Sequence, residues 1–159
     1  MRGRALFVAG LVAGAVSMQL VGAADSGVRG VNHVGIVVKN YAEALAFYTK
    51  TMGFREAYTI KNDDGSVRLT YLQLSRDTFV ELIPAAPNQQ AGITHFGIEV
   101  GDLNAEVAAL RQRGATLDDP GRTPSQALFS RMRDRDGVQI EVMEFTPQSL
   151  QRKAIDGWK

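Results

Sequence analysis

The two histidines of this 159-residue chain, His33 and His95, sit in two copies of one phrase. The first copy reads Val31-Asn32-His33-Val34-Gly35-Ile36-Val37-Val38, the second Ile93-Thr94-His95-Phe96-Gly97-Ile98-Glu99-Val100. The shared pattern is β-branched, polar, His, apolar, Gly, Ile, any residue, Val. A repeated phrase marks a repeated structural unit, so the two imidazoles are placed alike in space. The repeat extends further. Ala42-Glu43-Ala44-Leu45-Ala46 lies over Asn104-Ala105-Glu106-Val107-Ala108, and each half later carries one glutamate in an apolar strand, in Phe79-Val80-Glu81-Leu82-Ile83 and Val138-Gln139-Ile140-Glu141-Val142.

Side chains alternate between the two faces of a strand. Val34, Ile36 and Val38 therefore share one face while His33 takes the other. Phe96, Ile98 and Val100 oppose His95, Val80 and Leu82 oppose Glu81, and Val138, Ile140 and Val142 oppose Glu141. In each strand the apolar face can pack on helices while the His or Glu points away. A curved sheet brings His33, Glu81, His95 and Glu141 together in its hollow. Singly, each residue suits a solvated or hydrogen-bonded position; as two repeat-related pairs they point to a metal or catalytic centre.

The residues Asn32-His33-Val34-Gly35-Ile36, Phe47 to Phe54, Val80-Glu81-Leu82, Thr94 to Val100 and Asp134 to Glu141 resemble those of the vicinal oxygen chelate superfamily. That superfamily includes glyoxalase I, methylmalonyl-CoA epimerase, extradiol dioxygenases and bleomycin-resistance proteins, and the chain is closest to its metal-binding, glyoxalase I-like members. Asp134-Arg135-Asp136-Gly137 is similar to a family run that usually has Pro where Arg135 stands. The resemblance implies an α+β fold in which two βαβββ modules join edge to edge into a cup-shaped mixed sheet with helices on the outside. Modules of residues 28–84 and 92–147 make up a domain of 28–147.

Local signals agree. They predict strands at Val31–Val38, Phe54–Ile60, Val67–Leu74 and Thr78–Ile83, and an amphipathic helix over Tyr41–Met52 stopped by Gly53. Asp63-Asp64-Gly65-Ser66 reads as a hairpin turn, and Pro84 to Gly92 as the linker. Asp102 and Gly114 read as the cap and stop of the second helix. Residues 148–159 read as a tail, either a short surface helix or disordered, with no assigned chemistry.

Residues 1–24 follow another logic. Arg2 and Arg4, an apolar run and the small residues Val21-Gly22-Ala23-Ala24 form the three-part pattern of a secretory signal peptide. A retained membrane anchor is the competing reading, because the stretch is nearly long enough to span a bilayer. A periplasmic or secreted protein is expected, with no membrane association after cleavage. The formal charge is +1, and removal of Arg2 and Arg4 turns it negative, so no basic surplus points to nucleic acid. The absence of cysteine excludes disulfides and thiolate chemistry.

Two imidazoles and two carboxylates suit one divalent ion, Zn, Ni, Co, Mn or Fe. Such an ion acts as a Lewis acid toward adjacent oxygens of a small-molecule substrate. The resemblance implies a lyase or isomerase in which Glu141 or Glu81 moves an α-proton. A secreted binding module of the bleomycin-resistance type is the alternative. An extradiol dioxygenase comes third, since Glu81 would fill a position that chemistry keeps open and no third histidine is present. Arg131 or Arg133 and Tyr71 or Gln73 are candidates for specificity, and Glu99 for a partner of the site. Family members build the site within one chain or across a homodimer.

Overall fold

The computed structural model describes residues 27–159; the expected leader, residues 1–24, lies outside the described residues. Eight strands form one mixed, curled sheet: β1 (Val28–Val38), β2 (Arg55–Lys61), β3 (Val67–Ser75), β4 (Thr78–Pro84), β5 (Gly92–Val100), β6 (Gly121–Arg122), β7 (Leu128–Arg133) and β8 (Gln139–Glu144). Their spatial order is β2-β3-β4-β1-β5-β8-β7-β6. β4 lies parallel to β1, β8 lies parallel to β5, and the antiparallel pair β1–β5 joins the two modules at the centre. This is the expected edge-to-edge repeat.

Two helices pack on the convex face, as the strand parity predicts. α1 (Tyr41–Ala46) is capped by Asn40, whose side chain accepts from Glu43 N. The expected helix runs on to Thr51, but Phe47–Thr51 is wound as a π-helix. Thr49 Oγ1 donates to Leu45 O at 2.7 Å. That bond competes for the carbonyl the Thr49 amide would use in an α-helix, and such back-bonding distorts the ladder. Gly53 ends the segment with φ +75°, a left-handed conformation that suits glycine. α1 covers Leu72, Val80 and Leu82, and α2 (Leu103–Gln112) covers Val100 and Val142 with its Leu103 and Val107. Asp102 caps α2 through Ala105 N at 3.0 Å, as its sequence position predicts.

The C-terminal residues depart from the surface-helix or disordered expectation. Ser149 caps α3 (Leu150–Asp156), and this helix packs on the concave face. Ile155 is 1% exposed in a cluster with Tyr71, Phe79, Met143 and Phe145, residues that share the parity of the His and Glu side chains. α3 is tied to both modules. Arg152 meets Glu99 at 3.1 Å, Gln73 Nε2 donates to Ala154 O at 3.3 Å, and Leu150 N donates to Ser125 O at 2.9 Å. No helix among the described residues is long and apolar enough to cross a membrane.

Candidate metal centre

The strand registers explain why four distant residues meet. Across the sheet, Glu81 stands beside Gly35 and Gly35 beside His95; His33 stands beside Gly97 and Gly97 beside Glu141. Each histidine thus faces the glycine of the other copy of the phrase. The imidazole of one module lies over the bare backbone of the other. A Cβ on Gly35 would come within 2.0 Å of His95 Cε1, and one on Gly97 within 2.0 Å of His33 Cε1. The His-x-Gly spacing is therefore one device: histidine from one strand, room for it on the next.

The donor atoms converge. His33 Nε2 and His95 Nε2 are 3.2 Å apart, and His95 Nε2 is 2.9 Å from Glu81 Oε2. His33 Nε2 lies 3.8 Å from Glu81 Oε2 and 3.6 Å from Glu141 Oε2, which is 4.0 Å from His95 Nε2. Ligand atoms of His33, Glu81 and His95 all lie within 4.8 Å of one another. Glu141 sits at the edge of this group, its other oxygen held by Arg131 Nε at 3.0 Å. All four residues are buried and come from one chain.

The second ring nitrogens show how the imidazoles are oriented. His33 Nδ1 donates to Asn32 Oδ1, which can only accept. Thr94 Oγ1 donates to Gly35 O and accepts from His95 Nδ1 at 3.0 Å. With both rings neutral, the N–H bonds are then at Nδ1 and two Nε2 lone pairs face each other; a further proton on His95 Nε2 donates to Glu81 Oε2. Two bare lone pairs 3.2 Å apart repel unless a cation or a proton lies between them. Two oriented imidazoles with adjoining carboxylates match the donor chemistry of a divalent ion. Asn32 and Thr94 received no role from the sequence, although the phrase repeats a polar residue before each histidine.

Charge is balanced within the cluster. Burial works against a charged His95, yet the hydrogen bond to Glu81 and the charges of Glu141 and Glu81 outweigh it, so its pKa is raised. Burial likewise opposes ionised Glu141, but the hydrogen bond to His33, the charges of His33 and His95, and the bond to Arg131 bring its pKa down to about 2. Tyr71, 5.5 Å from His33 between ring centroids, is pushed well above the ordinary tyrosine range, chiefly by burial, with the charge of Glu81 adding to it.

A cavity of about 290 Å³ opens beside Glu81 and Glu141. Of the candidate specificity residues, Arg131 and Tyr71 line it. Arg133 instead donates to Gly137 O, and Gln73 is buried between Arg55 and α3. Glu99, a candidate partner of the site, binds Arg29 and Arg152 instead. The sequence reading also missed Ser125 and Gln151 in the cavity wall.

The family model described as the Glyoxalase/Bleomycin resistance protein/Dioxygenase superfamily matches residues 30–142. The chain is 27% identical over 125 residues to the uncharacterized protein YwkD of Bacillus subtilis (strain 168), covering 73% of this chain and 97% of that one. It is 28% identical over 127 residues to the uncharacterized protein YaeR of Escherichia coli (strain K12), covering 74% and 98%. Among solved structures, methylmalonyl-CoA epimerase from Mycobacterium tuberculosis is similar, with a TM-score of 0.69 and 26% identity over 79% of this chain and 93% of the epimerase.

Proposed function

Because the chain belongs to the glyoxalase/bleomycin resistance protein/dioxygenase superfamily, we propose that it is a metal-dependent lyase or isomerase acting on a small molecule with adjacent oxygens. The observation that carries this reading is the pair of opposed Nε2 atoms, 3.2 Å apart, with both Nδ1 atoms engaged. His33, Glu81, His95 and Glu141 would hold one divalent ion, Zn, Ni, Co, Mn or Fe. Bound there, the ion supplies Lewis acidity toward the substrate oxygens and makes the neighbouring C–H bond easier to ionise.

The chain's own groups do the rest. Asn32 and Thr94 fix the imidazoles. Glu141, held ionised in the metal-free cluster by His33, His95 and Arg131, is an acceptor, and Glu81 stands across the cluster as its counterpart. Glu141 takes the α-proton, Glu81 returns a proton it has drawn from solvent, and the proton left on Glu141 passes to solvent, each through a carboxylate oxygen at the cavity wall. The similarity to an epimerase supports proton movement of this kind.

Elemental analysis and α-proton exchange test the reading. Purified protein should carry one divalent ion per chain, and His33→Ala and His95→Ala should each lose most of it. With a suitable carbonyl substrate the loaded protein should exchange the α-proton with deuterated water. Unchanged metal in both variants, or no exchange with any carbonyl substrate, overturns it and favours the binding module. A second reading rests on the tie between Arg131 and Glu141. If that bond keeps Glu141 off the ion, His33, His95 and Glu81 form the two-His, one-carboxylate set of iron oxygenases. Iron in the purified protein and oxygen uptake with catechol would mark that case.

A further inference from the structure

The cavity beside the metal centre has a charge and a shape that its floor does not explain. Its wall carries three guanidinium groups, Arg68, Arg122 and Arg131, against two carboxylates, Glu81 and Glu141. Arg131 is committed to Glu141, at 3.0 Å, and lies over the Phe129 ring at 4.8 Å. Arg122 spends one nitrogen on Gln126 O at 3.1 Å, and both Arg122 and Arg68 remain exposed at the mouth. A divalent ion bound to the floor would leave the cavity positive.

Part of the wall comes from α3, which lies beyond the residues the family model matches. Gln151 is 1% exposed. Its Nε2 donates to Ser125 Oγ at 3.0 Å, but its Oε1 has no hydrogen-bond partner among the described residues. A buried acceptor left unpaired costs about 1–3 kcal/mol, so the position calls for a donor. Both residues line the same cavity as the arginines. At about 290 Å³ it stands at the lower end of ligand pockets, which run from about 300 to 1,000 Å³.

We propose that this cavity selects a compact hydroxy acid, with a carboxylate held by Arg68 and Arg122 at the mouth and a hydroxyl donated to Gln151 of the C-terminal helix. The inference rests on the metal-dependent reading for its reaction, but the two contacts need no ion. Gln151 is then a specificity residue supplied by a segment outside the family's shared core. A carboxylate bound by two guanidinium groups is recognised by charge-assisted hydrogen bonds, stronger than neutral ones.

Calorimetric titration of the full chain tests it, with malate as probe and dimethyl malate and succinate as controls, on metal-free and metal-loaded samples. Malate should bind. Dimethyl malate, which lacks the charge, and succinate, which lacks the hydroxyl, should bind at least about tenfold more weakly, the factor that 1.4 kcal/mol represents. The double change Arg68→Met with Arg122→Met should weaken malate at least tenfold and leave succinate and malate still distinguishable. Gln151→Leu should abolish the preference for malate over succinate while leaving metal content unchanged. If Gln151→Leu fails to fold, Ser125→Ala, which releases the Gln151 amide from Ser125, should narrow the same preference. Equal binding of the acid and its ester, or malate binding unaltered in the double arginine variant, overturns the proposal. So does tighter binding of inorganic phosphate than of malate. Metal analysis of the same samples separates the two readings. Bound metal without malate binding overturns this inference alone, whereas malate binding by protein that takes up no divalent ion when loaded upholds it and overturns the metal-dependent function.

Discussion

Gly35 and Gly97 determine the geometry of the centre as directly as the histidines they face. A methyl group at either position would overlap an imidazole ring, which is too wide to slip aside as a flexible chain end can. Gly35→Ala should therefore displace His95, and Gly97→Ala His33. Overpacking of this kind costs about 1–3 kcal/mol of stability, and loss of ligand orientation costs about 10–100-fold in metal affinity; chemical denaturation and metal titration read the two effects separately. Glu141→Gln keeps the shape and one oxygen donor, so it should retain metal while losing about 10²–10⁴ in turnover, the usual cost of a lost general base. The pH behaviour of the metal-free protein has a definite sign. His95 has a raised pKa, so its contribution is full below the ordinary value of 6.5 and lost as pH rises through the folded value. Glu141 has a depressed pKa, so its contribution is full above 4.5 and lost as pH falls toward about 2. Together they favour the metal-free fold most between pH 4.5 and 6.5. Metal must displace the proton on His95, so metal affinity should climb as pH rises above that window, which competition titrations against a chelator of known affinity would show.

Among the elements, the strands were legible because alternation is a strong signal and each His or Glu interrupts an apolar pattern at a fixed parity. β1, β4, β5 and β8 carry the candidate ligands on the face where that parity puts them. Asp102 and Gly114 bound α2 as their chemistry dictates. The winding of Phe47–Thr51 was not legible, because it turns on whether one threonine hydroxyl reaches a carbonyl four residues back, and many helical threonines do not. α3 was not legible either. Its seven residues offer too few turns for a helical period to show, and its anchors, Glu99, Gln73 and Ser125, lie far off in the sequence. Tertiary packing makes this helix. Ile155→Ala should then cost about 2–5 kcal/mol, as for other buried aliphatic truncations, and Ser149→Ala about 1 kcal/mol through the lost cap. Urea melts of both variants would check this; a surface helix would give little change for Ile155.

At the scale of the whole molecule, the repeat marked two like units and the family resemblance implied how they join, and the chain folds as two like modules around a central β1–β5 pair. Substrate identity was not legible, because the cavity wall is assembled from β3, the segment around Arg122 to Ser125, and α3, where the repeated phrases do not reach. Export is a proposal that rests on the residue pattern of 1–24 alone: mature protein should begin near Ala24 or Asp25, and N-terminal sequencing from the native cell decides it. An intact Met1 would contradict the leader. The crossing of each histidine onto the other module's glycine has one more consequence. Neither half owns a complete centre; the seam between them does. A divalent ion there would be a rivet through that seam, clamping the halves together in proportion to its affinity, by about 2.7 kcal/mol at a hundredfold excess over Kd. Chelation should then loosen the protein from the middle outward, and the amides of β1 and β5 should be the first to gain hydrogen exchange, ahead of the outer strands that would ordinarily fray first.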